Sequence, residues 1–242
     1  MTASSAFPKI TVVYDNRESN PSLKTDWGFS AWINFQGTTL LFDTGTKGRI
    51  LMRNLRSLDL DRAEVEQVFL SHAHDDHTGG LKRLLRGGAR PIVNLHPSFP
   101  ARFKRRTGRK TEVREVAPGQ AIGEHFYTTG EMHNRVEEHS LVIRTSLGLI
   151  LLTGCAHPGI VKIIRRSTEL FNEKVYLAIG GFHLRSKNEE EIAAILSQFR
   201  SLGVEKVAPS HCTGDLAIEM FAEEYGKDFI DSGVGKVIHV EK

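Results

Sequence analysis

An α/β fold is predicted by two regularities: short apolar runs alternate with amphipathic stretches, and the chemistry-bearing residues keep appearing where an apolar run ends. Strands are expected over 10–14, 29–35 and 38–42, the last two joined by a turn at Gly37, and a helix over 48–58. Residues 65–70 read as the strand that delivers the densest polar motif of the chain. Beyond it, Leu81-Lys82-Arg83-Leu84-Leu85 reads as a helix closed by Gly87-Gly88, and 91–95 as a short strand. The later part opens with a hairpin, 140–144 and 149–153, turning through 146–148. A helix over 161–171, a strand over 175–179 and a helix over 189–202 ended by Gly203 follow. A strand over 204–208, a helix over 216–225 with Gly226 behind it and a closing strand over 237–240 complete the pattern.

Composition bounds the answer independently. At 242 residues, 40% hydrophobic and 25% charged, the chain can bury one large core or two intimately packed halves, and a single domain over 1–242 with halves near 1–122 and 123–242 is expected. A formal charge of +3 permits an anionic substrate without requiring nucleic acid. No sequence repeat, low-complexity tract, targeting signal or apolar stretch of membrane-spanning length is visible, so a cytoplasmic protein without a membrane partner is expected. Both cysteines, Cys155 and Cys212, lie inside histidine-bearing motifs. That placement suits reduced thiols near a metal; small buried filler is the competing reading, held about evenly for Cys212.

Ser71-His72-Ala73-His74-Asp75-Asp76-His77 packs three imidazoles and two carboxylates into seven residues. Imidazole and carboxylate are the donors divalent cations prefer, and alternation places His72 and His74 on one side of an extended segment. Asp76 and His77 then fall in the following turn, where they would face a second ion, as in two-metal hydrolases. His157 and His211 each follow an expected strand, which is how ligands distant in sequence reach one ion.

His72-Ala73-His74-Asp75-Asp76-His77 resembles the His-x-His-x-Asp-His signature of the metallo-β-lactamase superfamily, and Leu40-Leu41-Phe42-Asp43-Thr44-Gly45 is similar to the strand and turn preceding it there. Several further motifs make the chain similar to the group named after dihydropterin ribofuranosylaminobenzene phosphate synthase. These are Tyr14-Asp15-Asn16, Trp27-Gly28-Phe29-Ser30, Thr153-Gly154-Cys155-Ala156-His157-Pro158-Gly159, Ile179-Gly180-Gly181-Phe182-His183-Leu184 and Pro209-Ser210-His211-Cys212-Thr213-Gly214. The resemblance runs from near the N-terminus to about residue 235. It implies a four-layer αββα sandwich of two mixed sheets flanked by helices, with the metals at the edge between the sheets. It further implies that His72, His74 and His157 hold one metal and Asp76, His77 and His211 the other. Better-known members carry Thr-Gly-Asp where Thr153-Gly154-Cys155 stands here, so Cys155 is a ligand, a neighbour of the ligands, or a small residue beside a water-filled bridging position. A thiolate there would favour zinc over harder ions. His139 is the second candidate for the third histidine and a weaker candidate for touching substrate, ranked below His157.

His183, behind Gly180-Gly181, is expected to face the cleft as a catalytic group that protonates a leaving group or binds a phosphate oxygen; a hydrogen-bonded structural histidine is an equal alternative. The two glycines are expected to let the backbone pass close to a ligand or another segment. Asp43 reads as a carboxylate orienting a metal-binding histidine, against a turn cap before Thr44-Gly45. The basic run 102–110 reads first as a solvated face. Its second reading is a cationic flap through which Arg105 and Arg106 draw an anionic substrate towards the metals. Nucleic acid is disfavoured because no aromatic series accompanies the charges.

The leading expectation is a metal-dependent hydrolase with one or two zinc ions per chain, Mn2+ and Fe2+ being the alternatives, using metal-activated water on an ester or phosphoester of a small anionic metabolite. Asp76 would both bind metal and orient or deprotonate the water. The alternatives are a condensing or lyase-like enzyme of pterin-type cofactor biosynthesis acting on a phosphorylated substrate, and a non-catalytic metal-stabilised binder of anions. Substrate, pathway and oligomeric state are not set by the sequence.

Overall fold

The computed structural model describes residues 7–86 and 88–241. Its backbone falls into two compact units, one running to Val116 and resuming at Gly233, the other spanning Ala117–Ser232. This division differs from the expected halves in one instructive way. The last strand returns to pair with the first, so the chain's end belongs to the first unit.

In the first unit, β1 (Lys9–Tyr14), β2 (Ser30–Phe35) and β3 (Thr38–Phe42) form an antiparallel meander. Parallel strands β4 (Gln67–Phe69), β5 (Ile92–Leu95) and β6 (Val113–Glu115) extend it on one side. The closing strand (Val237–His239) adds antiparallel to β1 on the other, giving a mixed sheet of seven strands. Period-two alternation divides its side chains. Val13, Trp32, Leu41, Val68, Val93 and Leu95 pack with α1 (Gly48–Ser57) and α3 (Leu81–Leu84), while Ile10, Ile33, Phe42 and Phe69 on the opposite face are equally buried. Between β4 and α3 the short α2 (Asp75–Thr78) carries part of the histidine motif. The expected helix stop at Gly87 lies outside the described residues; Gly88 adopts φ +97°.

The basic run is helical, not an irregular flap: α4 (Ala101–Gly108) begins after Pro100, buries Thr107, and ties Lys104 to Glu115 on β6 at 2.9 Å. Its two inward positions, Phe103 and Thr107, are four apart, too few for a helical period to show through so much charge.

The second unit repeats the same plan. Antiparallel β7 (Phe126–Thr128), β8 (Leu141–Thr145) and β9 (Gly148–Thr153) lead into parallel β10 (Val175–Gly181) and β11 (Lys206–Ser210). Helices α5 (Ile160–Phe171), α6 (Glu189–Ser201) and α7 (Asp215–Tyr225) cover one face. In α5 the buried positions are Ile160, Ile163, Ile164 and Ser167, the spacing of one helical stripe, and the helix stops at Asn172 in the left-handed region. A capping box between Asn188 and Glu191 starts α6. β11 is displaced two residues from expectation because Val204 packs into the core ahead of the strand, which brings Ser210 to the strand's end.

Phe182, Phe199 and Phe221 form one aromatic cluster with ring centroids 5.0–5.7 Å apart. Phe199→Ala is expected to lower the unfolding free energy by about 3–5 kcal/mol. Urea denaturation followed by circular dichroism measures it, and a loss under about 1 kcal/mol would mean that the cluster does not hold the helices to the sheet.

Candidate metal centre

In each unit the candidate residues stand just beyond the carboxyl ends of strands, the edge at which α/β sheets place their sites. Four of these positions, Asp43, Ala156, His183 and His211, are non-glycine residues with φ between 50° and 58°. The left-handed region costs such residues energy, and it is tolerated where surrounding contacts fix the backbone.

In the first unit the buried carboxylate of Asp43, at the end of β3, organises the histidine motif. Its Oδ1 accepts the Ser71 N–H at 2.7 Å, and its Oδ2 accepts the Ser71 hydroxyl at 2.7 Å and lies 2.6 Å from His77 Nδ1. Ser71 has spent its one proton on Asp43, so at the 3.0 Å contact between Ser71 Oγ and His72 Nδ1 the imidazole must donate. Both His72 and His77 thereby hold a proton on Nδ1 and turn Nε2 away from the carboxylate. The geometry supports the orienting role for Asp43 over the turn cap.

His72 Nε2 lies 3.1 Å from His74 Nδ1, and the His72 and His77 rings are 4.2 Å apart. Ligands bonded to one ion at about 2.0–2.1 Å are separated by about 3 to 3.4 Å, so the donor set fits a divalent metal. Asp76 Oδ2 is 3.6 Å from His77 Nε2. Burial works against a charge on His77, but the Asp43 charge and hydrogen bond, with Asp76, outweigh it and raise its pKa to about 10. The motif's backbone is held as well: Thr44 N–H and hydroxyl both donate to the His77 carbonyl, and Phe29 N–H donates to that of Asp76.

In the second unit a residue that sequence reasoning missed does comparable work. Glu138 is fully buried, and its carboxylate accepts the N–H groups of Cys155, Ala156 and His157 at 2.8–3.0 Å. Nothing in Glu137-Glu138 distinguishes the buried acid from the half-buried one beforehand. The loop it fixes presents Cys155 Sγ 3.4 Å from His211 Nε2, again the spacing of two donors on one ion. The His157 ring lies 4.5 Å from that of His183, tilted by 57°.

Cys155, His183 and Cys212 offer ligand atoms all within 4.8 Å of one another, and neither cysteine is in a disulfide. The Cys212 thiol as hydrogen-bond partner raises the His183 pKa against the effect of burial. Burial would raise the Cys212 pKa, but contacts with Cys155 and His183 and the charge near His211 take it well below the usual thiol value. Gly180 and Gly181 serve another segment: a Cβ on Gly180 would strike the Thr153 carbonyl, and one on Gly181 the Gly154 carbonyl and the Cys212 sulfur.

His139 is buried with Nδ1 2.9 Å from Thr128 Oγ1 and takes no part in the thiol cluster. Arg105 and Arg106 are exposed on α4; Arg106 lines a cavity beside Asp75, and Arg105 does not.

A family model described as the metallo-beta-lactamase superfamily matches residues 28–211. The chain belongs to the metallo-β-lactamase superfamily. Within it, the chain is 30% identical over 245 residues to the 7,8-dihydropterin-6-methyl-4-(beta-D-ribofuranosyl)-aminobenzene-5'-phosphate synthase of Methanocaldococcus jannaschii, covering 82% of this chain and 83% of that one. A crystal structure described as a metal-dependent hydrolase of the beta-lactamase superfamily is similar at TM-score 0.81 and 28% identity, over 97% of this chain and all of that one. The metallo-beta-lactamase fold protein YhfI of Bacillus subtilis shares the fold at TM-score 0.72 and 15% identity, over 96% and 99% of the two chains. The fold class expected from the sequence is thus shown: two mixed sheets flanked by helices, as in the superfamily's αββα sandwich. Among the described residues no helix is long and apolar enough to cross a membrane.

The three N–H groups on Glu138 yield a test. Glu138→Gln replaces one acceptor oxygen with a donor, which leaves a buried N–H facing an NH2. A loss of about 1–3 kcal/mol in unfolding free energy is expected, read by denaturant titration with and without added zinc. Unchanged stability would show that the loop is held by other contacts.

Proposed function

We propose that this chain is a cytoplasmic metal-dependent hydrolase acting on an ester or phosphoester of a small anionic metabolite, with two zinc ions as the cofactor. His72, His74 and His157 are the ligands of one ion. Asp76, His77 and His211 serve the other, with Cys155 as a further donor. The observation that carries the reading is the pair of imidazoles oriented by Asp43 and Ser71, with His72 Nε2 3.1 Å from His74 Nδ1. The softness of Cys155 favours zinc over Mn2+ or Mg2+. The metal, when bound, lowers the pKa of water towards neutrality and polarises a carbonyl or phosphoryl oxygen.

The chain's own groups do the rest. Asp76, 3.6 Å from His77 Nε2, accepts a proton from the attacking water. His183, its pKa raised by the Cys212 hydrogen bond, donates the proton to the departing oxygen. Asp43 stays on His77 Nδ1 throughout and holds the ring's direction. Nucleic acid is set aside as substrate because no aromatic series accompanies the charges of 102–110.

The second reading, a condensing or lyase-like enzyme of pterin-type cofactor biosynthesis acting on a phosphorylated substrate, is favoured by the 30% identity to the archaeal synthase. Both readings use one site, so substrate assays separate them. A closed ligand set without turnover would instead support a metal-stabilised binder of anions.

His72→Ala or Asp76→Ala is expected to remove metal and at least about 100-fold of phosphoester or thioester turnover while leaving the circular dichroism spectrum intact. Activity that survives without metal would overturn the mechanism. Metal analysis should find about two zinc ions per chain, with one lost in Cys155→Ser.

The His77 pKa adds a pH test. Because it is raised from 6.5 to about 10, the protonated form contributes stability to the metal-free protein that is fully present below pH 6.5 and lost as pH rises through about 10. Zinc binding near pH 7.5 must therefore displace a proton from Nε2. Titration in weak buffer should show proton release that falls in Asp43→Asn; equal release in the two proteins would contradict it.

A further inference from the structure

A cavity of about 260 Å³ lies wholly within the first unit, between the histidine motif, α3 and the basic helix α4. It touches Ala73 and Asp75 and none of the candidate ligands that flank them, His72, His74, Asp76 or His77. This is the other side of the motif. Its apolar wall is Leu81, Leu85 and Phe103.

Three cations, Lys82, Arg106 and Lys110, reach the same cavity, and among the described residues none of them is in an ion pair. Asp75 is the one acid there, so a positive excess remains. Thr107 also lines the cavity and is 6% exposed.

We propose that this cavity is an accessory binding site for a small aryl phosphate, distinct from the metal centre. The phosphate oxygens accept from the Arg106 guanidinium, the two ammonium groups and the Thr107 hydroxyl; the flat apolar body lies against Phe103, Leu81 and Leu85. The volume sets the ligand's size. Sites for drug-sized molecules run from about 300 to 1,000 Å³, so a single ring with its phosphate fits here. The ligand would pack on the loop that orients His72 and His74, and so would steady it without touching a metal.

Phenyl phosphate is the probe, titrated calorimetrically into the protein as purified and into His72→Ala. Saturable binding in both is expected, with at least tenfold weaker affinity when Arg106→Glu and Lys110→Glu are combined in either background. Phenol should bind at least tenfold more weakly than phenyl phosphate, and Phe103→Ala should weaken phenyl phosphate but not inorganic phosphate. Both charge reversals are at exposed positions; Lys82→Glu provides a second variant should the pair not fold. The proposal is overturned if His72→Ala shows no saturable binding, if the charge reversals leave affinity unchanged, or if phenol binds as tightly as phenyl phosphate. The hydrolase reading stands apart from these outcomes, because it fails on metal content and turnover of His72→Ala, not on phenyl phosphate affinity.

Discussion

One buried carboxylate governs the histidine motif. Asp43 receives a backbone N–H and a hydroxyl from Ser71 and an imidazole N–H from His77, so it fixes His77 directly and His72 through Ser71. A carboxylate with no exposure to water is costly, and three donors are what make it tolerable. The arrangement also joins two strand ends, β3 through Asp43 and β4 through Ser71, so the register of the sheet is carried into the direction of the ring nitrogens. The left-handed backbone of Asp43 is held by the same contacts that it provides.

The second unit reaches the same end by another route. There the anion is Glu138, its partners are three consecutive backbone N–H groups, and the loop it grips is the one bearing Cys155 and His157. In both units an antiparallel meander is followed by parallel strands, and the chemistry sits where the parallel strands stop. A buried acid at a neighbouring position then makes a loop behave like part of the sheet.

Much of this was legible in the residues. The period-two and helical patterns located most strands and helices to within a residue or two, because both sheet faces are buried and the helices that cover them are amphipathic. That His72, His74 and His77 would cluster was legible from their spacing behind an apolar run, and Asp43 was singled out by the strand and turn around it. Glu138 was not, because its role depends on the partners of its oxygens and not on its neighbours in sequence. The helix α4 was hidden by its own charge, and the short β6 and β7 were not read from the sequence. The two glycines of β10 were read correctly as points of close approach, but only the fold shows that the approaching atoms belong to Thr153, Gly154 and Cys212.

The pairing of Val237–His239 with β1 has a consequence for synthesis of the chain. The second unit is an insertion within the first, so on the ribosome β1 emerges first and receives its outer partner last, after all of Ala117–Ser232 has been made. During that interval Lys9, Ile10 and Thr11 present an unfilled strand edge to the cell, a surface that other chains can add to. Nascent copies on one message are neighbours, and the charge on Lys9 is the one brake that this stretch of edge carries against their joining.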